Sequence, residues 1–109
     1  MLEKMIVLCS CADLDSARRI ANALVEARLA ACASIVPVVE SVYRWREKIE
    51  RANETLLLIK TTSACLAALQ EKILALHSYD TPEIIGLPIV AGLEKYLHWL
   101  DEQVSSPDR

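Results

Sequence analysis

Two segments of this chain are apolar at every position: Ile6-Val7-Leu8 and Leu56-Leu57-Leu58-Ile59. Successive residues of a strand point to opposite faces, so a strand with one wet face alternates apolar and polar residues. These two segments do not alternate. If they are strands, both faces of their sheet must be covered. That is a demanding requirement for 109 residues, a length that fits one domain.

The surrounding sequence supplies the other elements. Met5 to Cys11 reads as a strand. Asp13 to Ala30 reads as a helix, with Ala17, Ile20, Ala21, Leu24 and Val25 at helical spacing and Asp13 or Asp15 able to cap its first turn. Ala33 to Trp45 is a long β-branched strand. Val38, Glu40, Val42 and Arg44 share one face, and Val39, Ser41, Tyr43 and Trp45 share the other. The charged patch Arg46, Glu47, Lys48, Glu50 and Arg51 surrounds the turn, with no glycine to mark its type. Glu54 to Thr61 resumes as a strand. Ser63 caps a second helix that reaches about His77, lined by Leu66, Leu69, Ile73 and Leu76. A polar loop runs from His77 to Pro82. A fourth strand runs from Ile84 to Ala91 and Gly92 ends it. A short third helix carries Leu93, Tyr96, Leu97, Leu100 and Val104, and residues 105–109 read as a frayed tail.

This order predicts a single α+β domain over residues 1–109, a ferredoxin-like βαββαβ sandwich with an extra C-terminal helix. Its strand order is 4-1-3-2. The prolines agree, because Pro37 and Pro88 fall in the two edge strands, where a missing N–H is tolerated. Both helices between the strands cover the same face, and the third is too short to shield the other alone. The long hairpin adds a second argument. Its strand of 13 residues, from Ala33 to Trp45, spans roughly 43 Å at about 3.3 Å per residue. A domain of this size has a radius of gyration near 13 Å. Tyr43 and Trp45 lie at the far end, where a single subunit would expose them. The expectation is an obligate homo-oligomer whose sister copies cover the open face and the arm.

Composition narrows the partners. The formal charge is −3 and no basic block occurs, so phosphate contacts to nucleic acid have little to work with. No apolar run approaches the roughly 20 residues of a membrane span, and no signal core precedes Asp13, so a cytoplasmic location is expected. The four cysteines, Cys9, Cys11, Cys32 and Cys65, then read as thiols.

Among residues able to do chemistry, Cys9 and Cys11 are two apart in a strand and point to one face. Soft thiolates select Cu(I) or Zn(II). His77 ends a helix, with Tyr79 and Asp80 close enough in sequence to orient its ring. Glu40, Asp80 and Glu83 could offer oxygen ligands, and His98 reads as a solvated surface residue. A Cys–His nucleophilic pair would also need an oxyanion loop and an orienting group, and the sequence announces neither, so no residue is assigned as catalytic. Two isolated glycines form no phosphate cradle and no organic cofactor is indicated.

Several segments together resemble the CutA family, from about Met5 to Leu100. They are Leu29-Ala30-Ala31-Cys32, Ser41-Val42-Tyr43-Arg44-Trp45, Leu57-Leu58-Ile59-Lys60-Thr61, the run from His77 to Ile85, Leu87-Pro88-Ile89 and Tyr96-Leu97-His98-Trp99-Leu100. The resemblance implies a ferredoxin-like subunit, a tight trimer whose long hairpins extend each sheet into the neighbour's, and a role in tolerance to copper and other divalent metals. It also implies metal ligands at Cys9 and at a His pair ending the second helix. Here that pair is Leu76-His77, so one member is absent. Ser78 and Asp80 replace a usual Pro and Glu, and Glu47-Lys48 replaces a usual Gly-Lys at the hairpin tip.

Two functional readings follow. The first is a non-enzymatic homotrimer that binds copper or another divalent metal through Cys9 and His77. The alternative is a PII-like signalling module that holds a small organic ligand in an inter-subunit cleft lined by Tyr43, Trp45, Tyr79 and Glu83.

Overall fold

A computed structural model describes residues 3–105. The elements run β1 (Lys4–Cys11), α1 (Leu14–Glu26), β2 (Cys32–Trp45), β3 (Lys48–Thr62), α2 (Leu66–Leu76), β4 (Ile84–Pro88) and α3 (Glu94–Gln103). The four strands form one sheet in the order β2-β3-β1-β4, with every neighbour antiparallel, which is the predicted split-βαβ arrangement.

One face of the sheet builds the core. Val7, Cys9 and Cys11 from β1, with Leu57 and Ile59 from β3, are fully buried against Ile20 and Leu24 of α1 and Leu69 and Ile73 of α2. The intervening residues Ile6, Leu8, Leu56 and Leu58 face the other way and are half-buried. Ile85 and Leu87 of β4 extend this second apolar face, opposite Leu8 and Ile6. α3 shields part of its margin, where Leu100 and Val104 bury against Ala31, Cys65 and Ile89. Ile85 remains 48% exposed and Leu87 46% exposed, so the single chain leaves its second face incompletely covered.

Several element ends differ from the sequence expectation. α1 stops at Glu26 rather than Ala30. Arg28 takes the left-handed conformation (φ 59°), and Leu29 N–H donates to the Leu24 carbonyl while Arg28 N–H donates to that of Val25. This is a Schellman closure with an arginine where glycine is usual. β3 begins at Lys48, six residues before Glu54, because only Arg46 and Glu47 make the turn. β4 ends at Pro88, not Ala91: it pairs with Met5 there, and β1 starts one residue earlier. Ser63 does not cap α2. Its hydroxyl accepts from Glu3 N–H (3.3 Å), and a 3-10 turn over Ser63–Cys65 leads into the helix. Asp13 is the α1 cap, accepting from Ser16 N–H at 2.8 Å.

Ser105, expected to be frayed, is held: its N–H donates to the Arg28 carbonyl (2.9 Å), and its own carbonyl accepts from the Cys65 thiol. Residues 106–109 of the expected tail lie outside the described residues.

The hairpin is the feature that shapes the molecule. Its register breaks between Val36 and Val39, where Pro37 and Val38 together oppose Thr55. Two residues against one is a β-bulge. It exchanges the faces of the strand, so Ser34 and Val36 below it share a side with Val39, Ser41, Tyr43 and Trp45 above it. The Thr55 hydroxyl secures the bulge by donating to the Pro37 carbonyl (2.9 Å). Beyond it the ribbon runs on to Trp45↔Lys48, and the molecule measures 44 × 27 × 22 Å. The long axis agrees with the hairpin length expected from the sequence.

Candidate metal centre and neighbouring groove

The alternation of β1 puts the Cys9 and Cys11 thiols on its buried, helix-facing side. His77, the residue that closes α2, brings its ring against them. The three side chains each offer one ligand atom, and these atoms all lie within 4.8 Å of one another.

The histidine is held at both nitrogens. Tyr79 N–H donates to Nδ1 (3.0 Å), so Nδ1 carries the lone pair. Nε2 then carries the proton and donates to the Ser10 carbonyl (2.8 Å). The Tyr79 ring packs beside the imidazole with centroids 4.8 Å apart. The expected orienting role of Tyr79 is therefore filled by its backbone amide.

The two thiols are coupled. Cys9 is pushed far above the ordinary thiol range by its hydrogen bond with Cys11, and burial adds to the shift. That same hydrogen bond lowers Cys11.

Next to this cluster, the loop from His77 to Pro82 leans on the hairpin where it leaves the core. Tyr79 Oη donates to Glu54 Oε2 (2.7 Å), and Ser10 Oγ donates to Glu83 Oε2 (3.3 Å). Together they border a groove of about 700 Å³ whose walls include Tyr43, Trp45, Tyr79, Glu54, Asp80 and Glu83. Burial, and then the Glu54 hydrogen bond, raise the Tyr79 phenol well above the usual tyrosine range. It stays a donor to the Glu54 carboxylate.

The structure brings Cys9 and His77 together, and brings Tyr43, Trp45, Tyr79 and Glu83 together in a separate site. It adds Cys11 to the first. It adds Glu54 to the second, a β3 residue that the bulge in β2 brings to one side with Tyr43 and Trp45 and that carries no sequence signal of its own. Asp80 lines the groove rather than supporting His77. Glu40 sits opposite Asn53 on the arm, outside the groove walls. His98 is solvated as expected, 3.8 Å from Glu102.

Comparison with known proteins gives a consistent result. The profile described as CutA1 divalent ion tolerance protein matches residues 5–103. The divalent-cation tolerance protein CutA of Thermus thermophilus is 48% identical over 97 residues, covering 89% of this chain and 94% of that protein. The chloroplastic protein CutA of Arabidopsis thaliana is 44% identical over 96 residues, covering 88% of this chain and 53% of that protein, so the chain spans about half the plant relative's length. The solved structure of the divalent cation tolerance protein (Cut A1) from Thermus thermophilus superposes with a TM-score of 0.92 at 46% identity, covering 94% of this chain and 99% of that one.

Proposed function

The chain belongs to the CutA1 divalent ion tolerance protein family, and on that premise we propose that it is a metal-binding protein of divalent-cation tolerance, with copper as its metal and Cys9, Cys11 and His77 as its ligands. The observation that carries this reading is the convergence of two thiols and an imidazole within 4.8 Å, reached from β1 and the end of α2. Thiolate and imidazole donors suit copper and zinc, whereas carboxylates and carbonyls suit harder ions.

The bonds at His77 indicate how it would ligate. Coordination through Nδ1 breaks the Tyr79 N–H bond but keeps Nε2–H on the Ser10 carbonyl as the orienting contact. Coordination through Nε2 would break both. Nδ1 is therefore the ligating nitrogen. The Cys9 proton must leave, so binding releases a proton and tightens as pH rises.

The same reading takes the protein as a non-enzymatic, cytoplasmic homotrimer. A protonated Cys9 and a histidine engaged at both nitrogens make a poor nucleophile and base. Four free thiols suit a reducing compartment. The half-covered sheet face and the projecting arm suit burial by sister copies. The family match favours this over a PII-like signalling module.

Equilibrium dialysis of the reduced protein against copper tests the assignment. Wild type should bind about one ion per chain, as one such ligand set allows. Cys9→Ser and His77→Ala should each weaken binding more than about tenfold. Unchanged affinity in both variants would overturn it.

A further inference from the structure

The groove beside the metal ligands has its own chemistry, and it stands or falls apart from the metal reading. We propose that it is a binding site for a protonated aliphatic amine, held between the aromatic rings of Tyr43, Trp45 and Tyr79 and the carboxylates of Glu54, Asp80 and Glu83.

The size fits first. About 700 Å³ lies within the roughly 300–1,000 Å³ of small-molecule sites. The charge then selects the class. Three carboxylates and no lysine or arginine line the groove, which disfavours an anion and favours a cation. A metal ion is the poorer occupant: among the described residues, the close-set group of ligating side chains is Cys9, Cys11 and His77, and none of the three groove carboxylates belongs to it. Separated carboxylates with aromatic walls between them suit a cation with carbon between or beside its charges.

The details of the walls support an amine carrying N–H groups. The Tyr79 hydroxyl holds Glu54, and the Ser10 hydroxyl holds Glu83. Each such bond uses one of about four lone-pair sites on an ionised carboxylate, leaving acceptor capacity for an ammonium donor. The rings supply faces that attract cations. Trp45 already shows this property, with the Arg46 guanidinium carbon 5.6 Å from its ring centroid. The hydroxyls fix the carboxylates before any ligand arrives, so less ordering remains to be done on binding.

A lysine or arginine of a sister copy offers the same chemistry as a free amine. The experiment therefore uses the assembled, reduced, chelator-treated protein. Calorimetry at low salt compares 1,5-diaminopentane, doubly protonated at neutral pH, with 1,5-pentanediol, its uncharged counterpart. The diamine should bind saturably and the diol should not. Glu54→Gln and Glu83→Gln, which keep side-chain shape and an acceptor oxygen, should each weaken the diamine about tenfold. Asp15→Asn, an exposed carboxylate outside the groove, should leave it unchanged. Equal binding of the diol, no saturable binding of the diamine, or wild-type affinity in both Gln variants would overturn the proposal. The wild-type comparison of diamine and diol decides the matter even if a variant folds poorly.

Discussion

β2 and β3 form one continuous hairpin, yet its two halves are held by different forces. Below the bulge, Leu57 and Ile59 are fully buried under α1 and α2. Above it, Val42, Trp45 and Ile49 are each more than half exposed. The ladder continues through both halves, so backbone pairing is not what distinguishes them. A two-stranded ribbon is marginal in water without a hydrophobic face or a packed neighbour. The base therefore carries the subunit's stability, and the arm is the part that the proposed homotrimer would support.

Truncating the base gives the largest expected effect. Ile59→Ala empties part of the helix-covered core and should cost about 2–5 kcal/mol in denaturant unfolding. The matching change in the arm, Ile49→Ala, should shift subunit unfolding by less than about 0.5 kcal/mol, as for other exposed sites. Similar losses at the two positions would erase the distinction between the halves.

The arm should instead respond in assembly. Trp45 is the large ring at its tip, and an aromatic anchor at an interface commonly contributes about 2 kcal/mol or more. Trp45→Ala should raise the subunit dissociation constant at least about thirtyfold in sedimentation experiments, at near wild-type helix content. A wild-type protein that sediments as a folded single subunit at micromolar concentration would remove the premise that sister copies support the arm.

Much of this contrast was legible in the sequence. The runs Ile6 to Leu8 and Leu56 to Ile59 announced a sheet with two apolar faces, and the length of Ala33 to Trp45 announced an arm. The strand order followed from the element order and the two edge prolines. What could not be read was local. The start of β3 at Lys48 is hidden because Lys48 to Asn53 are almost all exposed, so no buried face imposes an alternation on them. The bulge at Pro37 is invisible because alternation continues on both sides of it with the parity exchanged. Tyr43 and Trp45 share a side with Glu54 only through that shifted register. His77 was legible as a candidate partner of Cys9, but the two hydrogen bonds that engage its nitrogens depend on the backbone path from Leu76 to Tyr79.

The junction between the halves offers a finer test. Thr55 bonds the Pro37 carbonyl at the bulge, and both its neighbours in sequence face the opposite side of the sheet. Thr55→Val keeps the shape and removes the donor, leaving that carbonyl without its hydroxyl partner. The loss should be about 1 kcal/mol. Because the bulge sets the parity of the arm, the same variant should also disturb the backbone amide resonances of residues 39–45. A stability loss confined to the base, with those resonances unmoved, would show that the bulge is fixed by the strands' packing and not by this bond.

The smallest expected effect lies at the tip and has the opposite sign. Arg46 and Glu47 have φ values of 50° and 68°, both left-handed, between the paired residues Trp45 and Lys48. Positive φ at both central positions is the type I′ geometry, whose twist matches that of the strands and whose second position favours glycine. A side chain there costs about 1–2 kcal/mol of backbone strain. Glycine relieves it but loses about 0.5–1 kcal/mol more chain entropy on folding. Glu47→Gly should therefore stabilise the protein by about 0.5 kcal/mol, measured as a shift of the denaturation midpoint at unchanged slope. The gain reports whether the tip unfolds together with the base. If the arm frays independently of the core, relieving strain at the tip will leave the global midpoint where it was, and the change will appear only as slower amide exchange near Trp45 and Lys48.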